Sequence, residues 1–328
     1  MNYIIFDLEW NQASDKHLEH PRMTFEIIEI GAVKADENGR ILGEFGQLIR
    51  PFVYPHLFER IRQVVGLCEA DLEQARPFPA VWEEFLAWCG KDYIFCTWGP
   101  MDLTELEKNL DFYGIPNPLP RPLLYYDVQK LFSLALEEGT SRRALDYAAA
   151  FLNLPQEEAF HRALSDARYT WMVMEALDMK RLASMVSIDY HRPPRTAKEE
   201  IYLKFDRYSK FVSRVFPAKE DAMEDRNVTA TVCFRCGRAA RKKIRWFSSG
   251  SHRYLSLSYC PKHGWLRGKI RMKRADDGSG VFAVKTLKYV DESGAAMVFK
   301  KQEELRRKRR MKRLEGGGSV PSNDSESS

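Results

Sequence analysis

Two acidic side chains, Asp7 and Glu9, lie two residues apart in the apolar segment at the start of this 328-residue chain. Side chains at positions i and i+2 of a β-strand project from the same face of a sheet, so both carboxylates would share one face. Such a pair can belong to an exposed strand edge, or it can hold a metal ion. The pair alone does not decide between these interpretations, because a short acidic motif is weakly specific.

A third acid, Asp102, follows residues 93–97 and the turn Trp98-Gly99-Pro100. We expect residues 93–97 to form a strand and Asp102 to lie in the first turn of the next helix. This places Asp102 near the carboxyl ends of the sheet strands, where sites in α/β folds gather. An aspartate in the first turn of a helix can also serve only to complement the helix dipole. The position is therefore compatible with a site without requiring one.

The most specific segment covers residues 161–167, His-Arg-Ala-Leu-Ser-Asp-Ala. Small residues at Ala163 and Ala167 allow a helix to lie close to a sheet, and Asp166, one turn into that helix, would face the sheet with them. His161 precedes the helix and can reach the same cleft from a loop. A lone histidine is more often a surface residue or a satisfied core residue, but its combination with Asp166 favours a site.

The order of the elements supplies a scaffold on which these residues can meet. Residues 3–10, 24–34 and 41–50 are apolar segments separated by polar or glycine-containing connections, which predicts three antiparallel strands. Helical patterns then alternate with short strands at residues 93–97 and 123–126. Strands that are first antiparallel and then parallel, with crossover helices, predict an α/β fold with a mixed five-stranded sheet flanked by helices.

Residues 1–185 resemble the DEDDh exonuclease family, whose three motifs occur here in the right order. They are Phe6-Asp7-Leu8-Glu9, then Asp102 with Leu106 behind it, then the segment from His161 to Ala167. The resemblance implies a ribonuclease-H-like fold and a 3′-to-5′ exonuclease activity. It also implies the roles of five side chains, with His161 as the general base and four metal ligands: Asp7, Glu9, Asp102 and Asp166.

Four converging carboxylates would repel one another unless cations bind among them, and ligands that offer only oxygen suit Mg²⁺ or Mn²⁺. Two such ions ~3.5–4 Å apart can assist an in-line phosphoryl displacement, so we expect 5′-mononucleotides to be released from a single strand with a free 3′ end. Exonucleases must hold a frayed end, and we expect its bases to contact apolar side chains near the acids. These are Phe6, Leu8, Trp10 and Trp98, although Trp10 is equally compatible with a core position.

Two departures from the common motif bear on the substrate. Trp10 follows the first motif where many members have Thr or Ser, and Thr97-Trp98-Gly99 precedes Asp102. Both are similar to the branch that contains the histone-mRNA-trimming and small-RNA-trimming exonucleases and their bacterial relatives. The resemblance therefore favours RNA over DNA. Two alternatives stay open, a proofreading or repair exonuclease that acts on DNA and an inactive nucleic-acid-binding adaptor.

The second half of the chain contains a different set of candidate metal ligands. Cys233 and Cys236 form one pair with two intervening residues, and Cys260 and His263 form another. This layout is close to a zinc ribbon whose last cysteine is replaced by histidine. Because all four positions are protein groups, we expect one structural Zn²⁺ rather than a catalytic one. Cysteines without a metal are the alternative.

Charge divides the chain into unlike halves. Residues 1–194 contain 19 Lys and Arg against 30 Asp and Glu, whereas residues 195–328 contain 32 against 16. The basic half interleaves cations with aromatic residues, which is typical of proteins that hold single-stranded nucleic acid, although a solvated charged face is the ordinary alternative. Within it, the predicted nucleic-acid contacts are Arg241, Lys242, Lys243, Arg245, Trp265 and Arg267. The basic run 300–314 can also contact ribosomes or other RNA–protein partners.

Composition and the positions of proline and glycine predict the domain boundaries. We expect an exonuclease domain at residues 1–188, a linker with a basic amphipathic helix at 189–228, a basic zinc-ribbon-like β-rich module at 229–299, and a basic run with a disordered tail at 300–328. The predicted helix spans 199–215. No apolar stretch approaches the ~20 residues that a membrane-spanning helix needs, and the N-terminus lacks the features of a signal peptide. We therefore expect a cytoplasmic protein.

Overall fold

The computed structural model describes residues 1–137, 139, 141–155, 158 and 160–316. The chain divides into two compact units, Met1–His191 and Arg192–Ser328, which we call unit 1 and unit 2. The division falls within the predicted linker. Each unit has its own sheet and its own hydrophobic core.

The described part of unit 1 contains a mixed seven-stranded sheet of order β4-β3-β2-β1-β5-β6-β7. Its strands are β1 (Asn2–Asn11), β2 (Glu26–Ala35), β3 (Ile41–Arg50), β4 (Arg76–Pro77), β5 (Tyr93–Thr97), β6 (Leu124–Asp127) and β7 (Ser187–Ile188). β1 pairs with β2 antiparallel and with β5 parallel, and β5 pairs with β6 parallel. The mixed sheet of five strands is thus confirmed, and the two-residue strands β4 and β7 extend it at its edges.

Helices cover both faces of this sheet. They are α1 (Glu59–Val65), α2 (Glu69–Glu73), α3 (Phe78–Cys89), α4 (Met101–Phe112), α5 (Val128–Leu136), α6 (Leu145–Phe151), α7 (Ala163–Glu175) and α8 (Met179–Leu182). Alternate residues of β1 enter the two cores. Ile4, Phe6 and Leu8 pack in the core that contains α3 and α4, whereas Ile5 packs in the core that contains α7.

Unit 2 is built on an antiparallel six-stranded sheet within its described residues, of order β10-β11-β12-β13-β9-β8. Its strands are β8 (Ile201–Lys204), β9 (Tyr208–Val212), β10 (Arg241–Gly250), β11 (Arg253–Cys260), β12 (Gly264–Arg274) and β13 (Val281–Val290). Its helices are α9 (Lys219–Glu224), α10 (Arg226–Thr229) and α11 (Glu292–Gly316). The basic run therefore continues a helix that begins inside the predicted β-rich module. We also expect residues 315–328 to be disordered; residues 315 and 316 instead belong to α11, and residues 317–328 lie outside the described residues.

The predicted amphipathic helix at residues 199–215 is wrong. The segment forms the hairpin β8–β9, in which Ile201 lies opposite Val212 and Lys204 opposite Ser209. β9 also pairs with β13 through Val212 and Val284. Aromatic and β-branched residues favour strands, and their spacing here fits a helix only by coincidence. Pairing with the sheet edge decides the structure.

In the described part of the chain, no helix has both the length and the apolar content that a membrane crossing requires.

Candidate active site

Asp7 and Glu9 project from the face of β1 that α7 covers. They alternate with the core residues Phe6 and Leu8 and share the face of Ile5, which packs in the same core as Ala167 of α7. A strand with helices on both faces buries both sets of side chains. The two acids are half-buried, so their carboxylates lie beneath α7 rather than on an exposed edge.

The start of α7 lies directly against β2. Gly31, the partner of Asp7 across the β1–β2 ladder, has no side chain, and a Cβ there would come within 2.0 Å of the Leu164 backbone nitrogen. It would also lie 2.1 Å from the carbonyl carbon of Ala163. Only glycine therefore allows α7 to approach this closely, and the approach sets the position of Asp166 relative to Asp7.

Three of the predicted site residues meet within bonding range of one ion. Ligand atoms of Glu9, His161 and Asp166 all lie within 4.8 Å of one another. His161 is exposed and has φ 69°, a left-handed conformation that costs a residue other than glycine ~1–3 kcal/mol. Its backbone N–H donates to Asp166 Oδ2 at 3.2 Å. This bond helps to hold the imidazole at the mouth of the cleft.

Asp102 approaches the same part of β1 from α4. The backbone N–H of Leu8, between the two acids of the first motif, donates to Asp102 Oδ1 at 3.3 Å. Asp102 is only 5% exposed. Asp7 and Asp102 are not members of the compact cluster of Glu9, His161 and Asp166, but their charges act on it, as the pKa values show.

Burial is the largest cause of the raised pKa values of all four carboxyl groups. It raises the pKa of Glu9 to about 8, that of Asp102 to about 7 and that of Asp166 to about 6, and the pKa of Asp7 rises well above its usual range. For Asp7, the charges of Asp102, Asp166 and Glu9 act in the same direction. Without a bound cation, burial and mutual repulsion therefore favour the protonated forms of these carboxyl groups.

The donor set suits a hard divalent cation. Asp166 Oδ1 is buried and has no hydrogen-bond partner among the described residues. A buried carboxylate oxygen without a partner costs free energy unless an ion or a water satisfies it. Carboxylate oxygens are the ligands that Mg²⁺ and Mn²⁺ prefer. The residues present therefore fit a divalent metal site at Glu9 and Asp166, with Asp7 and Asp102 beside it.

A fifth acid, Glu29, also lies at this site, although the motifs do not include it. It is the cross-strand partner of Glu9, is 4% exposed, and accepts hydrogen bonds from Arg162 Nε at 3.1 Å and Nη2 at 3.0 Å. The Ala163 N–H, in the first turn of α7, also donates to it at 3.4 Å. Glu29 thus anchors the third motif to β2. Its signal in the sequence is an acid between two isoleucines, Ile28 and Ile30, in the middle of a strand.

Two of the predicted base contacts are wrong. Phe6 and Leu8 are 1% and 3% exposed and pack in the core, because residues that alternate with two site-facing acids must face the other side of the sheet. Trp10 and Trp98 are half-buried. Trp10 packs against Phe25, with ring centroids 5.6 Å apart.

The cysteine cluster of unit 2 is compact. Ligand atoms of Cys233, Cys236, Cys260 and His263 lie within 4.8 Å of one another. Cys233 Sγ is 3.3 Å from His263 Nδ1, and Cys236 Sγ is 3.7 Å from Cys260 Sγ. Bonds of ~2.3 Å to sulfur and ~2.0 Å to nitrogen in a tetrahedron place ligand atoms ~3.5–3.8 Å apart. The four groups therefore fit one zinc ion.

The predicted cationic contacts of unit 2 lie on two different strands. An exposed group occupies the edge strand β10: Arg241, Lys242, Lys243 and Arg245. Trp265 and Arg267 are half-buried and lie on β12, in the interior of the sheet. The two sets therefore do not form a single row.

The mixed sheet, with Asp7 and Glu9 on its central strand, agrees with the ribonuclease-H-like fold expected from the sequence. A family model described as Exonuclease matches residues 4–174, slightly more than half of the chain, and this range contains all five predicted catalytic residues. The chain belongs to the exonuclease family, which confirms the class of enzyme expected from the motifs. No curated protein matches the chain.

Several solved structures are similar to part of this chain. The nuclease domain of 3′hExo, a DEDDh family member bound to rAMP, is 18% identical over 58% of this chain and 96% of that one, with a TM-score of 0.49. Cell-death related nuclease 4 is 17% identical over 57% and 66%, with a TM-score of 0.48. E. coli Exonuclease I in complex with a dA16 oligonucleotide is 11% identical over 56% and 41%, with a TM-score of 0.41.

Proposed function

We propose that the chain removes nucleotides one at a time from the 3′ end of a single strand, with RNA favoured over DNA, and releases 5′-mononucleotides. The observation that carries this proposal is the convergence of Glu9, His161 and Asp166 within 4.8 Å. The RNA preference is supported only by the resemblance of Trp10 and of the segment around Trp98 to the RNA-trimming branch.

The carboxylates of Asp7, Glu9, Asp102 and Asp166 would hold two Mg²⁺ or Mn²⁺ ions. Bound there, the ions supply the positive charge that an in-line phosphoryl displacement requires. The raised pKa of Glu9, about 8, means that this carboxyl group must release its proton before it can act as a ligand near neutral pH. The hydrogen bonds from Arg162 to Glu29 fix the start of α7 against β2 and so help to position Asp166.

His161 would take up the proton of the attacking water at an imidazole nitrogen as the new bond to phosphorus forms and the bond to the leaving 3′-oxygen breaks. Its exposed position beside Glu9 and Asp166 lets the ring reach a nucleophile that approaches from solvent. Its left-handed backbone, stabilised by the bond to Asp166, aims the side chain toward the cleft entrance.

We also propose that Cys233, Cys236, Cys260 and His263 hold one structural zinc ion. The turns after each ligand pair contain Gly237 at φ 70° and Gly264 at φ 84°, a conformation that glycine adopts without strain. Tyr289 adds support, because its hydroxyl lies 2.9 Å from Cys233 Sγ. Thiolate ligands need a reducing compartment, so a cytoplasmic location stays our prediction.

Matched RNA and DNA oligonucleotides, labelled at either end and incubated with Mg²⁺, with Mn²⁺ or without divalent ions, test the activity. We expect the 3′ label to appear first in mononucleotides, only with a divalent ion, and faster from RNA. Faster digestion of DNA would favour the proofreading or repair alternative. Binding without any digestion would favour the inactive adaptor and overturn the proposed function.

A further inference from the structure

The sheet of unit 2 has no counter-charge of its own. Its six strands, β8 to β13, contain fourteen Lys and Arg residues and no Asp or Glu. Uncompensated charge of one sign attracts ligands of the opposite sign. The cations of this sheet must therefore be balanced by other elements of the unit or by an external anion.

Strand register collects five of these cations on one face. Arg267, Lys269 and Arg271 alternate along β12, so they point to the same side. Arg253 on β11 lies directly opposite Arg271, and Lys288 on β13 lies directly opposite Arg267. Directly paired residues share a face, so all five form one surface, which we call the basic face. Along β12 its cations recur every ~6.8 Å.

The acids of unit 2 do not neutralise this surface. In the described part of the unit, none of the five side chains of the basic face forms an ion pair. Asp277 pairs with Arg195, and Glu200 and Asp225 both pair with Arg214. Burial, followed by the charges of Arg271, Arg253 and Arg267, lowers the pKa of Lys269 to about 8. The cations are therefore close enough to repel one another.

Helix α11 adds further positive charge to the same side of the sheet. Its residues Ala295 and Val298 pack against Ile244 and Leu257, and Leu257 lies directly opposite Arg267 in the ladder. Residues 300–310 of the helix contain seven Lys and Arg and two Glu. Arg309 Nη2 donates to the Ser248 carbonyl oxygen at 3.0 Å, so the helix stays against β10 along this stretch.

Aromatic side chains lie beside the cations. Trp265 occupies an alternate position of β12 and therefore shares the face of Arg267, and its cross-strand partner is Tyr259. The two rings are 5.1 Å apart. Regularly spaced cations next to aromatic rings suit a nucleic acid, which has one charge per nucleotide and flat bases that can stack on the rings. An acidic protein segment has the charges but not the bases.

We propose that the basic face and the adjoining part of α11 bind the sugar–phosphate backbone of a single-stranded nucleic acid. The choice of nucleic acid over other polyanions rests on the proposed function. Successive cations of β12 would contact successive phosphates of an extended strand, without reading its sequence.

The test is a triple substitution, R267Q/K269Q/R271Q, in the full chain. Its control, R40Q/K91Q/K180Q, removes the same charge from exposed positions of unit 1. A fluorescent ~20-nucleotide RNA with phosphorothioate linkages, which resists digestion, is titrated at several KCl concentrations. We expect the triple variant to bind at least ~10-fold more weakly and to lose ~2 units of the salt slope, at ~0.7 per phosphate contact. The control should match the wild type.

A second variant, R253Q/R271Q, changes only exposed positions and serves if the triple variant does not fold. Unchanged affinity and salt slope in a folded variant would overturn the proposal. So would equal competition by polyglutamate of the same total charge, because the face would then take any polyanion. If the wild type binds the RNA through this face but cleaves no dinucleotide with Mg²⁺, the proposed function fails and the binding proposal stands.

Discussion

Unit 1 and unit 2 both place like charges together, but at different depths. In the cleft of unit 1, burial is the main cause of the raised pKa values of Glu9, Asp102 and Asp166. On the basic face of unit 2, Arg253 and Arg271 remain exposed. Buried charges need discrete ions at short range, whereas exposed charges can be balanced by a polymer and its salt atmosphere. The cleft should therefore respond to divalent ions and the basic face to ionic strength.

The largest expected effect is the loss of cleavage, with RNA binding retained, when one carboxylate of the cleft in unit 1 is removed. Asp166→Asn removes one carboxylate charge and keeps the shape of the side chain, so we expect Mg²⁺-dependent release of mononucleotides to fall at least ~10³-fold. Affinity for the phosphorothioate RNA should remain within about twofold. Asp92→Asn, at an exposed residue paired with the N-terminus, is the matched control. A wild-type rate in Asp166→Asn would falsify the catalytic assignment.

Cys236→Ala should have the opposite effect, because it changes unit 2 and leaves the cleft of unit 1 intact. Loss of one zinc ligand should release the ion and destabilise unit 2 by several kcal/mol, because zinc binding contributes directly to folding. RNA binding should weaken with it, while Mg²⁺-dependent cleavage of a dinucleotide should persist. Elemental analysis and thermal melting measure both effects. Cys68→Ala, at an exposed thiol, is the control, and equal zinc content in the two variants would refute the site.

Gly31→Ala tests how closely α7 must approach the sheet. The added Cβ would lie 2.0 Å from a backbone atom of α7, so we expect a loss of ~1–3 kcal/mol of stability and a ~10²-fold slower reaction. Gly43→Ala on the neighbouring strand β3 is the control, since its nearest new contact is the Trp88 indole nitrogen at 3.8 Å. Similar rates for the two variants would show that the approach is not needed.

The smallest effect concerns pH. The folded-state pKa values of Glu9, Asp102 and Asp166 lie above those of an unfolded chain, so the folded protein binds more protons. Stability without divalent ions should therefore fall as pH rises from about 4.5 through 8. Mg²⁺ should oppose the fall, because it binds the deprotonated groups. Melting curves with and without Mg²⁺ measure this, and parallel pH profiles would contradict it.

The shared face of Asp7 and Glu9 and the central strands could be predicted because each is encoded locally. A strand period of two places Asp7 and Glu9 on one face, and glycine-containing turns separate β1, β2 and β3. The same period also places Phe6 and Leu8 on the opposite face. Their prediction as base contacts failed because it ignored the helices that cover that second face.

Contacts between distant segments could not be predicted from the sequence. Glu29 supports Arg162 across 133 positions, and Gly31 matters only because α7 returns to β2. The hairpin of β8 and β9 was interpreted as a helix because aromatic spacing fits both structures, and only pairing with β13 decides between them. Likewise, the basic face exists only through the register of β11, β12 and β13.

Calorimetric titration of Mn²⁺ into the zinc-loaded protein tests most directly whether the acids of β1, α4 and α7 form one metal site. Our account predicts about two ions per chain in the wild type, with weaker or incomplete binding in Glu9→Gln and Asp166→Asn. Absence of Mn²⁺ binding to the wild type, or identical titrations for all three proteins, would contradict it.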